Sequence, residues 1–400
     1  MAPAPADFYL DPGELLYAEG DSHDFAYFIE FGEIVLYRTH EGKRIDVEVR
    51  AAGSIIGELS VLRARPRAVS AAALSECRVF RIPAQQIQTR YARLDPLLQA
   101  CVETSIDFNS HFERTLRIPD SGPVEVSPTL RNSEEFLKNL QIESDLINGL
   151  LRGDFTAEFQ PIVRLSDGEI VGFETLLRWS HPTLGMIPPT SFIPLAEDMG
   201  AISSLTNFAL EKACAFLAKI HDMAPDHEQI YGTVNVTSTD IDMPDFVDLL
   251  CRTLFKYELE PRHLRLEITE SDQVSQSDQS RVNLARIKSL GFGVVIDDFG
   301  AGYSNFGYFK QLPLTMLKID RSLCSDVSTN RISECIVRQV IELGGELEID
   351  IVAEGLETST DIVSLRDLGC QYAQGFHFFE PMSEHHLLKL LLNGDRLAAI

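Results

Sequence analysis

The chain has 400 residues, 44% of them hydrophobic, enough to bury at least one large core and to suggest more than one domain. Its formal net charge of −25 repels a nucleic-acid backbone, so polymer binding is excluded unless one local patch is basic, and small ligands are expected. The seven cysteines are scattered without a C-x-x-C pair, the opening MAPAPADFYL lacks a basic region before an apolar run, and no stretch of about 18 uncharged apolar residues occurs; a cytoplasmic protein that does not cross a membrane is expected.

Residues 14–83 are dense in short apolar runs such as FAYFIEF, GEIVLYR and CRVFRI, broken at short spacing by Gly, Asp and polar residues, which predicts an all-β module. From Ala84 to about Leu116 the apolar residues recur at helical spacing despite Pro96, predicting a long helical connector. The segment RIPDSGPVEVSPTL at 117–130 has three prolines and no period, and reads as a linker. Asn132 and Ser133 then open a short amphipathic helix, with Glu134 and Glu135 favourable in its first turn. Beyond it strands and helices alternate. The strands are TAEFQPIV, EIVGFETLLR, YGTVNVT, HLRLEITE, FGVVIDDF, TMLKID, DIVAEGL and YAQGFHFF, with helices at 203–220, 244–256, 278–290, 328–344 and 358–368 among the connections. Eight strands joined by α crossovers predict a TIM-like barrel.

Glu174, Asn235, Glu267, Asp297, Asp298, Lys318 and Glu354 each close an apolar run, roughly 20 to 60 residues apart. Residues at the ends of successive strands converge only if the strands close into a barrel with their C-terminal ends on one face. Carboxylates crowded in that way raise one another's pKa unless cations neutralise them, and oxygen ligands suit Mg²⁺ or Mn²⁺.

The second half of the chain, about residues 136–395, resembles the EAL family of cyclic di-GMP phosphodiesterases. The resemblance is carried by FQPIV at 159–163, GFETLLRW at 172–179, FIPLAE at 192–197, VNVT at 234–237, LEITES at 266–271, DDFGAGYSN at 297–305, LKID at 317–320, AEGLET at 353–358 and QGFHFFEP at 374–381. Two departures are small: Glu174-Thr175-Leu176 replaces Glu-Ala-Leu, and Asn305 stands where a Ser is usual. The resemblance implies a barrel with one antiparallel strand, and hydrolysis of cyclic di-GMP to linear pGpG assisted by two Mg²⁺ or Mn²⁺ ions. It assigns Glu174, Asn235, Glu267 and Asp297 to the first ion, has Asp297 bridge to a second site completed by Asp298, and places Glu354 near both. Lys318 would steady the attacking hydroxide or accept a proton, and Glu270 would organise the loop after Asp298. Gln160, Leu176, Arg178, Glu357 and Gln374 would meet the substrate, with a structural ion pair as the lesser alternative for Arg178 beside so much acid. Family members of this kind also form homodimers. The alternative is a receptor that binds cyclic di-GMP without cleaving it.

The first half, about residues 10–115, resembles the cyclic nucleotide-binding domains. Gly57-Glu58-Leu59-Ser60-Val61-Leu62 followed by Arg65-Pro66-Arg67-Ala68-Val69-Ser70 matches their phosphate-binding cassette. A cyclic phosphate is a compact monoanion, so one guanidinium, Arg67, and amides near Gly57, Leu59 and Ser60 would hold it while Glu58 accepts from the ribose 2′-hydroxyl. In family terms Ala68 leans toward cyclic AMP over cyclic GMP; the alternative is an empty β-roll kept as a scaffold. The expected organisation is a cyclic nucleotide-binding β-roll with flanking helices at 1–116, a linker at 117–135, and an EAL barrel at 136–400 gated by the nucleotide.

Overall fold

A computed structural model describes residues 7–40, 43–94, 133–269, 277–301 and 312–393, with residues 99 and 102 between them. The chain divides into two compact units, one of residues 1–148 with 192–200, the other of 149–191 and 201–400.

The first unit is the expected β module, beginning earlier than residue 14. Its strands are β1 (Asp7–Leu10), β2 (Leu15–Tyr17), β3 (Phe25–Phe31), β4 (Glu33–His40), β5 (Lys43–Ala51), β6 (Ile55–Ile56), β7 (Ser70–Ala73) and β8 (Cys77–Pro83). They pair antiparallel in two four-stranded sheets, ordered β1-β8-β3-β6 and β2-β7-β4-β5. Alternation drives this layout, because Ile29, Ile34, Ile56, Ala71, Ala73 and Val79 face inward and form one buried cluster. Helix Glu58–Leu62 interrupts the strands at the cassette. The connector begins as helix Ala84–Ala92. Most of its continuation to residue 116, and the 117–130 linker, lie outside the described residues. Helix Ser133–Arg152 follows.

All eight expected barrel strands are present: β9 (Phe155–Arg164), β10 (Ile170–His181), β12 (Tyr231–Asn235), β13 (Leu264–Thr269), β14 (Gly293–Phe299), β15 (Met316–Ile319), β16 (Asp350–Ala353) and β17 (Tyr372–Ala373). A short ninth strand, β11 (Gly185–Ile187), pairs with the end of β10 outside the ring and has no sequence period to announce it. β9 runs antiparallel to both of its neighbours, β10 and β17, and so closes the ring, while the other barrel pairs are parallel. The expected helices appear as Ile202–Met223, Phe246–Lys256, Asp278–Leu290, Arg331–Leu347 and Ser359–Asp367. Their apolar faces and the outward faces of the strands share the main core.

The inside of the ring is what positions the site. Side chains alternate along a strand, so two layers of inward residues stack. In the lower layer Ile162, Tyr231, Val295, Met316 and Val352 form a closed apolar cluster. Gly172 contributes empty space there, since a Cβ on it would lie 2.6 Å from Cε2 of Tyr231. Two residues nearer the mouth, later in sequence on the parallel strands and on β10 but earlier on the antiparallel β9, stand Glu174, Asp297, Lys318, Glu354 and Gln160. The apolar floor keeps water from approaching those charges from below.

Candidate functional site

Lys318 is the hub of the mouth. It is 1% exposed, and its Nζ lies 3.0 Å from Glu174, 3.3 Å from Glu267 Oε1, 3.1 Å from Asp297 Oδ1 and 2.7 Å from Glu354 Oε1. The strand register brings these groups together: Gln160 on β9 is opposite Glu174 on β10, Asn235 on β12 is opposite Glu267 on β13, and Asp297 on β14 is opposite Thr269. Asn235 donates to Glu174 Oε1 at 3.2 Å. Gln374, just past β17, donates to Glu174 Oε2 at 2.8 Å and to Gln160 Oε1 at 3.0 Å.

Asp298 reaches the mouth by a route its sequence does not announce. Strand β14 does not end at the Asp pair; it carries a register shift against β15 between Ile296 and Phe299, and Asp298 sits there with a φ of 55°. An extra residue and a left-handed backbone turn let neighbouring carboxylates face the same side, a conformation Asp tolerates better than most residues. Glu174, Glu267 and Asp297 then form one cluster in which ligand oxygens all lie within 4.8 Å, and Asp297, Asp298 and Glu354 form a second that shares Asp297.

Five carboxyl groups against one ammonium distort the local acid–base balance. Burial would raise Glu174, but Lys318 and the hydrogen bonds from Gln374 and Asn235 outweigh it and hold Glu174 below the usual carboxylate range. Burial, reinforced by Glu174 and Asp297, pushes Glu267 well above that range. Asp297 is likewise raised by burial, Glu354 is pushed up to about 8 and Asp298 to about 6, burial leading in each case. Burial works against the Lys318 ammonium, yet the four carboxylates hold its pKa well above the ordinary lysine value. Oxygen Oε1 of Glu267 is buried 3.3 Å from the Lys318 ammonium but accepts no hydrogen bond among the described residues, and Oε1 of Gln374 is buried with no hydrogen-bond partner among them. Buried oxygens that accept no hydrogen bond, surplus negative charge and an all-oxygen donor set fit hard divalent cations.

A cavity of about 310 Å³ opens over this cluster, lined by Gln160, Leu176, Glu357 and Gln374 of the sequence-predicted substrate residues. Arg178 is not among its lining residues; its Nε is 2.7 Å from Glu158 Oε2 and its Nη1 donates to the Leu177 carbonyl, the ion-pair arrangement. Glu270 lies outside the described residues. Sequence reasoning missed Arg321, Gly355, Gly375 and Phe376 of the lining. Gly375 is the most legible of these in hindsight, since it sits inside QGFHFFEP and a Cβ there would lie 2.6 Å from the Leu356 carbonyl oxygen.

The first unit has its own cavity of about 260 Å³, lined by Gly57, Glu58, Leu59, Ser60, Arg67 and Ala68 together with Tyr17, Arg38, Arg50, Arg63 and Arg65. Arg67 is 3% exposed, donates from Nη1 to the Gly57 carbonyl at 2.9 Å and from Nη2 to the Phe25 carbonyl, and lies 4.4 Å from the centre of the Tyr17 ring. Gly57 has a φ of 76°, and a Cβ there would collide with Arg67 Nη1, so glycine is required on both counts. Burial raises the Glu58 carboxyl above its ordinary value, with Arg50 and Arg67 among the groups opposing it.

The class is thus a closed α/β barrel with an acidic mouth whose carboxylates could hold a metal ion, joined in one chain to an antiparallel β-roll with an arginine-lined pocket. Residues 143–381 match the EAL domain and residues 8–93 the cyclic nucleotide-binding domain, and the chain belongs to the EAL family. It is 38% identical over 251 residues to the bifunctional diguanylate cyclase/cyclic di-GMP phosphodiesterase MucR of Pseudomonas aeruginosa, covering 63% of this chain and 36% of MucR. It is 36% identical over 245 residues to the cyclic di-GMP phosphodiesterase NbdA of the same organism, covering 61% and 31%. The chain therefore spans about a third of the length of these curated relatives. Among solved structures, the EAL enzyme Bd1971 with cyclic AMP and cyclic di-GMP bound matches with a TM-score of 0.64 and 26% identity over 96% of this chain and all of that one. The MucR phosphodiesterase in complex with cyclic di-GMP matches with a TM-score of 0.58 and 38% identity over 62% of this chain and all of that one. No helix among the described residues is long and apolar enough to cross a membrane.

Proposed function

We propose that the chain hydrolyses one phosphodiester bond of cyclic di-GMP to linear pGpG at the barrel mouth with two Mg²⁺ or Mn²⁺ ions, and that a cyclic mononucleotide in the β-roll sets the rate. The observation that carries the reading is the convergence of Glu174, Glu267, Asp297 and Glu354 on Lys318, whose single charge leaves the carboxyl groups in surplus. Similarity to MucR and NbdA, both named for cyclic di-GMP phosphodiesterase activity, supports the substrate. Bd1971 with both cyclic AMP and cyclic di-GMP bound supports two nucleotide ligands on one chain.

Glu174, Asn235, Glu267 and Asp297 would hold one ion, and Asp297, Asp298 and Glu354 the other. When bound, such ions lower the pKa of water to yield a nucleophile near neutral pH and neutralise charge developing on phosphoryl oxygens. The chain's own groups supply the frame. Lys318 restrains four carboxylates from one point, and Gln374 and Asn235 fix both oxygens of Glu174 so that its orientation survives the approach of a dianionic substrate. Gln160, tied to the Phe379 carbonyl at 3.2 Å, closes the wall beside it. In the β-roll, Arg67 would meet the cyclic phosphate and Glu58 the ribose hydroxyl, and the small Ala68 favours cyclic AMP over cyclic GMP.

The test is incubation of the full chain with cyclic di-GMP and Mg²⁺ or Mn²⁺, with nucleotides separated afterwards, repeated with EDTA and with each cyclic mononucleotide. Formation of pGpG that stops with EDTA and changes in rate with cyclic AMP is expected. Substrate that binds yet stays intact under every condition would establish a receptor instead.

A further inference from the structure

We propose that Arg321 binds the second, non-reacting phosphate of the cyclic dinucleotide. The inference rests on cyclic di-GMP being the substrate. Among the described residues lining the cavity, Lys318 and Arg321 are the cations, against Glu174, Asp297, Asp298, Glu354 and Glu357. Lys318 is buried beneath the mouth with four carboxylates around it, so it cannot turn outward to meet a further anion. The Arg321 side chain is 59% exposed, and its Nη1 lies 2.9 Å from Glu357 Oε1.

The surrounding loops are shaped around that arginine. Gly355, at the end of β16, has a φ of 64°, and a Cβ on it would lie 2.5 Å from Cβ and Cγ of Arg321. A larger residue would displace the arginine stem. Asp320 accepts a hydrogen bond from the Ser322 N–H at 2.9 Å and so fixes the backbone from which Arg321 springs. A cyclic dinucleotide carries two phosphates on opposite sides of its ring. With one at the carboxylate cluster, the other faces the rim, where the wall is otherwise acidic. A guanidinium presents five N–H donors in a flat fork, so one edge keeps Glu357 while another takes phosphate oxygens. Arg178, the arginine the sequence points to, pairs with Glu158 and is not among the residues that line this cavity.

The experiment compares wild type, Arg321→Ala and Arg321→Lys for binding of cyclic di-GMP and of linear GpG by calorimetry with Ca²⁺, a hard cation that fills the carboxylate cluster and so anchors one phosphate of either ligand, and for KM and kcat with Mg²⁺ or Mn²⁺. GpG keeps both guanines but has a single phosphate. Arg321→Ala is expected to weaken cyclic di-GMP by about tenfold more than GpG, mainly through KM, with Arg321→Lys recovering part of the loss, as befits a charge-assisted contact. Equal losses on the two ligands would mean that Arg321 reads a guanine edge or merely supports the loop, and would overturn the proposal; so would unchanged affinity for cyclic di-GMP. A wild-type chain that binds but cleaves neither diester sinks the hydrolase reading, and the binding comparison then still decides Arg321.

Discussion

One ammonium answering four carboxylates makes Lys318 the residue on which the barrel mouth depends electrostatically. Removing one side of a buried ion cluster leaves uncompensated charge, which costs more than the cluster itself gains the fold. Lys318→Met nearly conserves volume and leaves Glu174, Glu267, Asp297 and Glu354 facing one another. In EDTA this variant is expected to lose about 3 kcal/mol, a fall in Tm of roughly 10 °C for a domain of this size. Millimolar Mg²⁺ should restore part of it, because added cations replace the missing charge. A melting temperature in EDTA equal to that of wild type would show that the carboxylates relieve their repulsion without Lys318. Asp298 makes a different point at the same scale: an Asp-Asp pair closing an apolar run says that two carboxylates are near a strand end, but not that the second takes a φ of 55° inside a continuing strand.

At the level of elements, the eight strands were legible because each holds an apolar run, and a period of two sorts core from mouth once the ring closes; that Glu174 and Gln160 lie within β10 and β9 rather than at strand ends was not legible. The short β11 and the helical turn Arg321–Cys324 were not, since three or four residues carry no period and an arginine after a strand looks like any solvated charge. Packing between elements holds a further consequence for pH. His221, near the end of helix Ile202–Met223, meets His263, just before β13, with ring centroids 4.6 Å apart at 74°. His263 Nδ1 accepts from the Glu260 N–H at 3.1 Å, and Nε2 of both rings is buried without a hydrogen-bond partner among the described residues. Burial depresses both pKa values, Arg262 adds to the depression, and Glu228 and Glu260 oppose it. A histidine depressed in the folded state stays neutral while the unfolded chain takes up a proton, so stability falls as pH drops below about 6.5. The Tm of wild type should therefore decline more steeply between pH 7.5 and 5.5 than that of His221→Phe, which keeps the ring packing and removes one proton site. Equal slopes in the two proteins would assign the acid sensitivity elsewhere.

Across the whole molecule the two cavities solve opposite electrostatic problems within a chain of net charge −25. The barrel mouth is acidic and suits an anionic substrate only with cations present, whereas the β-roll cavity has Arg38, Arg50, Arg63, Arg65 and Arg67 against Glu48 and Glu58 and can take an anion unaided. Composition could not reveal this division, because it averages an arginine-lined pocket with acid spread over the rest of the chain. A nucleotide response then needs little energy: tenfold activation requires about 1.4 kcal/mol of preference for the more active state. Arg67 is where that preference should enter. It is the buried cation of the cavity, and replacing it by Ala removes both the phosphate partner and the donors to the Gly57 and Phe25 carbonyls. Arg67→Ala is expected to weaken cyclic AMP binding by at least about tenfold, the loss typical of a charge-assisted hydrogen bond, and to make pGpG formation equal with and without the nucleotide. Because the lost backbone contacts could by themselves loosen the roll, Glu58→Gln serves as a second variant: it keeps Arg67 and its carbonyl partners and weakens only the acceptor for the ribose hydroxyl. A graded loss of response, partial in Glu58→Gln and complete in Arg67→Ala, would locate the sensor in this cavity. A full response to cyclic AMP in both variants would mean that the nucleotide acts at another place, with the barrel mouth the first alternative to examine by competition with cyclic di-GMP.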